Sequence, residues 1–341
     1  MKLSHIGELA LLESIRTRFS SRSKDIITGI GDDAAVVQTR MKPIVVTTDM
    51  MVEGVHFDLS FTEPFQLGFK IVSVNVSDVY AMGGTPRYLL LNMAVRKTAD
   101  MDFIDSFFEG IQDALHRYRA KLIGGDISGA VSGMCLSATC IGYGERVVNR
   151  SGARPGDTVY VTGTLGDSAC GLALLKKRKK SSLPDGSLVN GRSEGRTKIP
   201  RRITEPLVTR HLMPVARSPK SFARYATAMI DVSDGLLIDL SRLCEESRVG
   251  ARIFLEKIPL SPQLRKAAEA TGTQPIEFAL SGGEDYELLF TAAGKKKIRA
   301  SAIGEIIESG LVIVDQSGTE KPFSPVGYQH FLAQGKGRSS S

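Results

Sequence analysis

Two spacings of hydrophobic residues alternate along the chain. Leu9, Leu12, Ile15 and Phe19 fall near helical spacing, so residues 5–19 read as an amphipathic helix. Pro43-Ile44-Val45-Val46-Thr47-Thr48-Asp49 is a short β-branched run, a strand that delivers polar groups at its C-terminal end. Residues 64–82 read as a helix opened by Pro64 and closed by Gly83-Gly84. On it Lys70, Asn75 and Asp78 are polar among Ile71, Val72, Val74 and Val76. The pattern then predicts strands at 87–96, 120–124 and 134–148, and a helix at 102–118. Arg154-Pro155-Gly156-Asp157 is turn chemistry, followed by a strand at 158–162 and a helix from Gly166-Asp167-Ser168 to about Leu175. Helices are expected again at 218–227 and 234–247, and strands at 228–232, 251–255, 286–291, 302–307 and 311–315.

This mixture predicts an α/β (α+β) chain with mixed sheets and helices packed on them. At 341 residues it exceeds one typical core and fits two domains. The boundary falls near 151–157, giving domains at 1–150 and 151–333 and a disordered tail at 334–341. Hydrophobic residues make up 42% and charged residues 24%, and no apolar run approaches the roughly 20 residues of a membrane span. The opening residues reach Glu8 and Glu13 too soon for a signal peptide. Cys135, Cys140, Cys170 and Cys244 show no metal-binding spacing and read as small buried hydrophobes in a reducing, cytoplasmic setting. The net charge of +7 is local, because residues 176–202 carry ten Lys or Arg against Asp185 and Glu194. That Ser-, Gly- and Pro-rich segment reads as an exposed mobile insertion. The remainder is not basic, so composition makes no general case for nucleic acid or a membrane partner.

The chemistry lies in a recurring pattern. Asp32-Asp33 follows Gly29-Ile30-Gly31, and acidic residues beside Gly, Ser or Thr return at Thr47-Thr48-Asp49, Ser77-Asp78, Gly124-Gly125-Asp126, Asp231-Val232-Ser233-Asp234-Gly235 and Gly282-Gly283-Glu284-Asp285. Each alone is explained as well by a cap or a turn. Converging together, these carboxylates would repel one another unless cations offset them. All-oxygen donors (Asp32, Asp33, Asp49, Asp78, Asp126, Asp231 and Asp234, with Thr47, Thr48 and Ser233) select Mg²⁺ or Mn²⁺ over zinc. Several such ions bridging a polyphosphate would resolve the repulsion, and phosphoryl transfer asks mainly for positioning and charge neutralisation. Arg150 is a candidate cation for a transferred phosphate. No G-x-x-x-x-G-K-[ST] is present. Gly29 to Ala34 matches G-x-G-x-x-[GA] but sets carboxylates where a pyrophosphate would sit, with no clear strand running into it.

In order along the chain stand GIGDDAAVV, TTDMMVEGVHF, NVSDVYAMGGTP, LIGGDIS, NRSGARPGDTVYVTGTLGDSA, IDVSDGL, ALSGGEDYELLF and GYQHF. The set resembles the thiamine-monophosphate kinases, in the superfamily that includes aminoimidazole ribonucleotide synthetase. The resemblance implies a two-domain aminoimidazole ribonucleotide synthetase-like fold and a homodimer formed through the N-terminal domains. It implies direct in-line transfer from ATP, the co-substrate, to thiamine phosphate, with several Mg²⁺ ions and no phosphoenzyme. By motif, Asp33, Thr47, Thr48, Asp49, Asp78, Asp126, Asp231 and Asp234 are implied metal ligands, with Asp49, Asp78, Asp126 and Asp234 central to catalysis. Gly125, Asp126, Arg150 and Ser233 are implied nucleotide contacts, and His56, Glu284 and Tyr328 contacts to thiamine phosphate. A carboxylate and an aromatic face suit that substrate's delocalised cation and flat ring. The insertion is longer than the family usually carries. The alternatives are ring closure of the aminoimidazole ribonucleotide synthetase type, which GYQHF and TTDMMVEGVHF fit less well, and a non-catalytic nucleotide-binding module.

Overall fold

A computed structural model describes residues 26–28, 32–38, 42–96, 98–182, 199–294 and 297–330. The helix expected at 5–19, most of the insertion and the tail at 334–341 lie outside the described residues. Two mixed sheets divide the chain. The first contains β1 (Ile26–Thr28), β2 (Ala35–Gln38), β3 (Pro43–Val52), β4 (Thr85–Arg96), β5 (Lys121–Ala130) and β6 (Cys135–Tyr143), in the order β1-β2-β3-β6-β4-β5. Only β4 and β5 pair in parallel. Helices α1 (Pro64–Ala81) and α2 (Met101–Tyr118) cover one face.

Helix α1 begins with a capping box between Glu63 and Gln66 and a proline in its first turn. It is buried along most of its length, because the sheet, α2 and the second half of the chain all pack against it. Gly68 and Gly110 permit the approach of α1 to α2: a Cβ on Gly68 would lie 2.0 Å from the Phe107 carbonyl oxygen. The opposite face of the sheet is open, exposing Met50, Asn92 and Asp126.

The second sheet contains β7 (Asp157–Val161), β8 (Ala226–Asp231), β9 (Gly250–Phe254), β10 (Leu288–Ala293), β11 (Ser301–Ile307), β12 (Leu311–Val314) and β13 (Glu320–Pro322). Their order is β13-β12-β9-β11-β7-β10-β8. Around it lie α3 (Asp167–Ser182), α4 (Arg201–Leu212), α5 (Leu236–Ser247), α6 (Pro262–Thr271) and α7 (Pro275–Ser281). Buried Glu287 ties α4 to the sheet, accepting from Arg210, from Arg217 at 2.8 Å and from Thr162 at 2.6 Å.

Several expected boundaries move. The segment 176–202 is not all insertion: α3 continues through Ser182, and α4 starts at Arg201. Lys and Arg are good helix formers, and the exposed Lys176, Lys177 and Lys179 extend a helix whose buried side is set by Leu174 and Leu175. Helix α4 hides its pattern because Thr204 and His211 share its buried face with Leu207, and Pro206 interrupts it. The helix expected at 218–227 reduces to one 3₁₀ turn, Ala223–Tyr225, before β8 begins at Ala226. The Ser-Pro and Gln-Pro openings of α6 and α7 are start signals the hydrophobic pattern alone passes over. A strand, β1, does lead toward the Gly29 loop, contrary to expectation. It forms an antiparallel hairpin with β2, so a dinucleotide-binding unit remains excluded. Cys140, Cys170 and Cys244 are buried, Cys135 is half-buried, and all four are free. No helix among the described residues is long and apolar enough to cross a membrane.

Candidate active site

Four carboxylates meet where the two halves of the chain touch. Asp33 stands in the β1–β2 connection, Asp49 on β3, Asp78 in the last turn of α1 and Asp231 at the end of β8. Oxygens of Asp33, Asp78 and Asp231 lie within 4.8 Å of one another. Thr47 donates to Asp78 Oδ2 at 2.5 Å, and Ser77 donates to Asp231 Oδ2 at 2.6 Å. Burial first, and neighbouring carboxylates second, push the Asp49 carboxyl up to about 6. The same causes push Asp78 and Asp231 well above the usual carboxylate range. Buried Asp33 Oδ2 and Asp49 Oδ2 have no hydrogen-bond partner among the described residues. Orphaned acceptors in an all-oxygen, self-repelling cluster are what a hard divalent cation satisfies, so these residues fit Mg²⁺.

Arg150 borders the cluster. Its guanidinium pairs with Asp33, and its backbone N–H donates to Asp32 Oδ2 at 3.0 Å. Asp33 and Asp32 keep this arginine protonated despite its burial. Asp32 is pushed up to about 7 by burial and by Asp33.

The loop from β8 to α5 adds Ser233 and Asp234. Asp239 Oδ2, one turn into α5, accepts from the backbone N–H groups of Ser233 (3.1 Å), Asp234 (3.0 Å) and Gly235 (3.0 Å). Those donors are therefore committed, and Ser233 can offer a ligand only its hydroxyl. Arg242 holds the Asp234 carboxylate at 2.6 Å.

A second group adjoins the first. Glu284 N–H donates to Ser233 O at 2.7 Å, and Tyr328 N–H to Asp234 O at 3.0 Å. Those bonds tie the Gly-Gly-Glu-Asp loop and the 324–330 strap to the acidic site. Glu284 takes a left-handed φ of 64°. Its oxygens meet Lys70 Nζ at 2.7 Å and His211 Nδ1 at 3.0 Å. The His56 and His330 rings lie 5.1 Å apart, and the Tyr328 ring stands edge-on to His330 at 4.9 Å. His56 Nδ1 accepts from Val52 N–H at 3.0 Å, which leaves Nε2 free to carry the proton of the neutral ring.

The expected residues thus separate. Asp33, Thr47, Asp49, Asp78, Asp231, Asp234, Arg150 and Ser233 converge, and His56, Glu284 and Tyr328 gather beside them. Thr48 and Asp126 share the open face of the first sheet, opposite to Asp49: Asp126 is in register with Asn92, Ser137 and Met50. Gly125 is required by packing, since a Cβ there would lie 1.7 Å from the Leu91 carbonyl oxygen. Sequence reasoning missed Lys70, Ser77, His211, Asp239, Arg242 and His330 as contributors. For α1 the signal was available: Lys70, Ser73 and Ser77 recur at helical spacing within an apolar helix.

Residues 31–143 match the N-terminal domain of AIR synthase related proteins, and residues 154–316 match their C-terminal domain. Two such domains with an acidic cluster at their junction define the class. Within it, the chain is 37% identical over 336 residues to the thiamine-monophosphate kinase of Aquifex aeolicus (strain VF5), covering 97% of this chain and 100% of that one. It is 34% identical over 341 residues to the Escherichia coli (strain K12) thiamine-monophosphate kinase, covering 95% and 98%. The solved structure of AaThiL complexed with AMPPCP and TMP superposes with a TM-score of 0.83 at 37% identity, covering 97% of this chain and 99% of that one. The chain belongs to the thiamine-monophosphate kinase family.

Proposed function

We propose that this chain transfers the γ-phosphoryl group of ATP to the phosphate of thiamine phosphate, giving thiamine diphosphate and ADP. The observation that carries the reading is the convergence of Asp33, Asp78 and Asp231, with oxygens left orphaned on Asp33 and Asp49, at the junction of the two halves. The relatives' names and the ATP-analogue complex of a family member support the substrates.

In this reading Asp33, Thr47, Asp49, Asp78, Asp231 and Asp234 are the metal ligands of the junction cluster, and Thr48 and Asp126 are metal ligands on the open face of the first sheet. Mg²⁺ held there supplies charge neutralisation for the carboxylates and for the triphosphate. Arg150 and the Ser233 hydroxyl orient the nucleotide with Gly125 and Asp126. His56, Glu284 and Tyr328 hold the acceptor. The acceptor phosphate is already anionic at neutral pH, so positioning does most of the work and no general base is assigned. Residues 1–150 form the metal-, ATP- and dimer-forming domain and 151–333 the second domain.

A coupled ADP-release assay with ATP and Mg²⁺ tests this against thiamine phosphate, thiamine and formylglycinamidine ribonucleotide. Turnover with thiamine phosphate alone is expected. Turnover with the ribonucleotide would move the activity to purine ring closure.

The open face of the first sheet supports a homodimer. Met50 (58% exposed) presents apolar surface on that face, and edge strand β5 exposes Ile123 (54%) and, on its other face in register with Met93, Ile127 (63%). A second copy docked there would also enclose Thr48 and Asp126. Light scattering on a sizing column should give a dimer for the parent chain and a monomer for Met50→Glu. A monomeric parent ends this part of the reading.

A further inference from the structure

Lys70 has no role in the mechanism above, yet it is a buried cation inside an apolar helix. Its side chain is 3% exposed, and its Nζ lies 2.7 Å from Glu284 Oε1. An ammonium is costly to bury, and an apolar side chain of similar length would fill the same space without that cost. The partner is equally constrained. Glu284 stands at a φ of 64°, which few non-glycine residues adopt, and Gly283 before it packs so closely that a Cβ would lie 2.5 Å from Ser233 O. The backbone therefore aims the Glu284 side chain, and two donors from opposite halves of the chain fix its end. Lys70 on α1 takes one oxygen, and His211 on α4 takes the other. The carboxylate remains 26% exposed, beside His56, His330 and Tyr328, with lone pairs still available.

We propose that Lys70 is a positioning residue for the acceptor: it holds the Glu284 carboxylate, across the junction of the two halves, in the orientation that meets the acceptor's ring system. This rests on the reading that Glu284 contacts thiamine phosphate. Against burial, Lys70 and then His211 hold the Glu284 carboxyl down to about 2, so the glutamate is an ionised acceptor at every working pH. Burial, followed by the Lys70 charge, keeps His211 below its ordinary range, so the wild-type pair is Lys70⁺–Glu284⁻ with a neutral imidazole. The other charged or titratable groups facing this pair are His56 after β3, His330 on the strap next to His56, Lys176 on α3, and buried Tyr286, whose hydroxyl burial and the Glu284 charge push well above its ordinary range. Arg210, beside His211 on α4, is turned away to Glu287 and the Asp285 carbonyl oxygen.

The test is steady-state kinetics on Lys70→Met, with KM measured separately for thiamine phosphate and for ATP between pH 6 and 8.5. The expected result at pH 8 is an acceptor KM raised about 10- to 100-fold, the weight of one charge-assisted hydrogen bond, with the ATP KM within about twofold. Towards pH 6 the acceptor KM should recover in this variant, because protonated His211 then supplies the missing cation. His211→Gln in the same background should abolish that recovery, which also separates it from titration of His56 or His330. In a Glu284→Gln background, Lys70→Met should add little, because it acts through that carboxylate. If Lys70→Met does not fold, Lys70→Gln keeps a donor and loses only the charge, and it should raise the acceptor KM alone by a smaller factor. An active wild type with unchanged acceptor KM in these variants, or equal rises for both substrates, overturns the inference. A wild type inert toward thiamine phosphate overturns the functional reading and takes the inference with it.

Discussion

Asp78→Asn is expected to lower kcat at least about 10³-fold, a loss of roughly 4 kcal/mol of transition-state stabilisation. The same substitution should raise the melting temperature of the metal-free protein by about 2–4 °C for each kcal/mol of repulsion relieved. The two effects have one cause. Asp78 is half-buried among Asp49, Asp231 and Asp33, and its main direct compensation is the Thr47 hydroxyl. An amide removes one charge from a set that repels itself, and it also removes the charge on which a divalent cation depends. The pH dependence follows with a definite sign. Asp32 is pushed up to about 7 and Asp49 to about 6, chiefly by burial. Both lie above the unfolded carboxylate value of about 4, so the folded protein binds more protons than the unfolded chain between those limits. Stability of the metal-free protein should therefore fall as pH rises from about 4 to about 7, and added Mg²⁺ should restore it above pH 7. In Asp78→Asn both the slope and the Mg²⁺ response should shrink. Thermal scans in chelator and in Mg²⁺ at pH 5 and 7.5, beside the kinetic assay, measure all of this. A variant less stable in chelator than its parent would show that the carboxylate serves the fold rather than the ions.

How far the site was legible depends on what each residue needs from the chain. Asp49 was legible because a β-branched run leads into polar residues, although the strand itself continues through Met50 and Met51 to Val52. Asp33, Asp78 and Asp231 were legible only as a set, because each alone serves equally well as a turn or helix-end residue. Lys70 was visible as an odd charge on an apolar helix, but its partner, Glu284, comes from the far end of the second half. No local pattern predicts a pairing made by two domains packing together. Helix α4 was lost for a related reason. Its buried face carries Thr204, which bonds back to the Arg201 carbonyl oxygen, and His211, whose ring meets Ser168 and Glu284, so hydrophobic periodicity is weak where the helix serves the site. The sidedness of Thr48 and Asp126 could be read only from strand register, because adjacent residues of a strand face opposite ways and Thr48-Asp49 contains one of each.

Arg150→Met carries the other large effect, and it should be stronger at pH 8 than at pH 5.5. The guanidinium side chain is 18% exposed, and its partners Asp33 and Asp32 are 2% and 7% exposed. Removing one member of a buried ion pair leaves the others uncompensated, a cost of about 3–5 kcal/mol. That cost has an outlet. Asp32 already sits near 7 with Arg150 in place, so without the arginine its carboxylate can accept a proton instead of remaining charged. The penalty is largest where protonation is hardest, which fixes the direction of the pH effect. Mg²⁺ should recover part of the loss by replacing one cation with another, while kcat/KM for ATP stays down about 10²-fold because a metal ion does not reproduce the directed donors. Arg150→Lys keeps the charge but gives up the planar fork, and it should fall between the two. Denaturant midpoints at pH 5.5 and 8, with and without Mg²⁺, separate these contributions. An equal loss at both pH values would mean that Arg150 contributes packing and not charge. The neutralisation of Asp32 and Asp33 would then have to come from the metal alone.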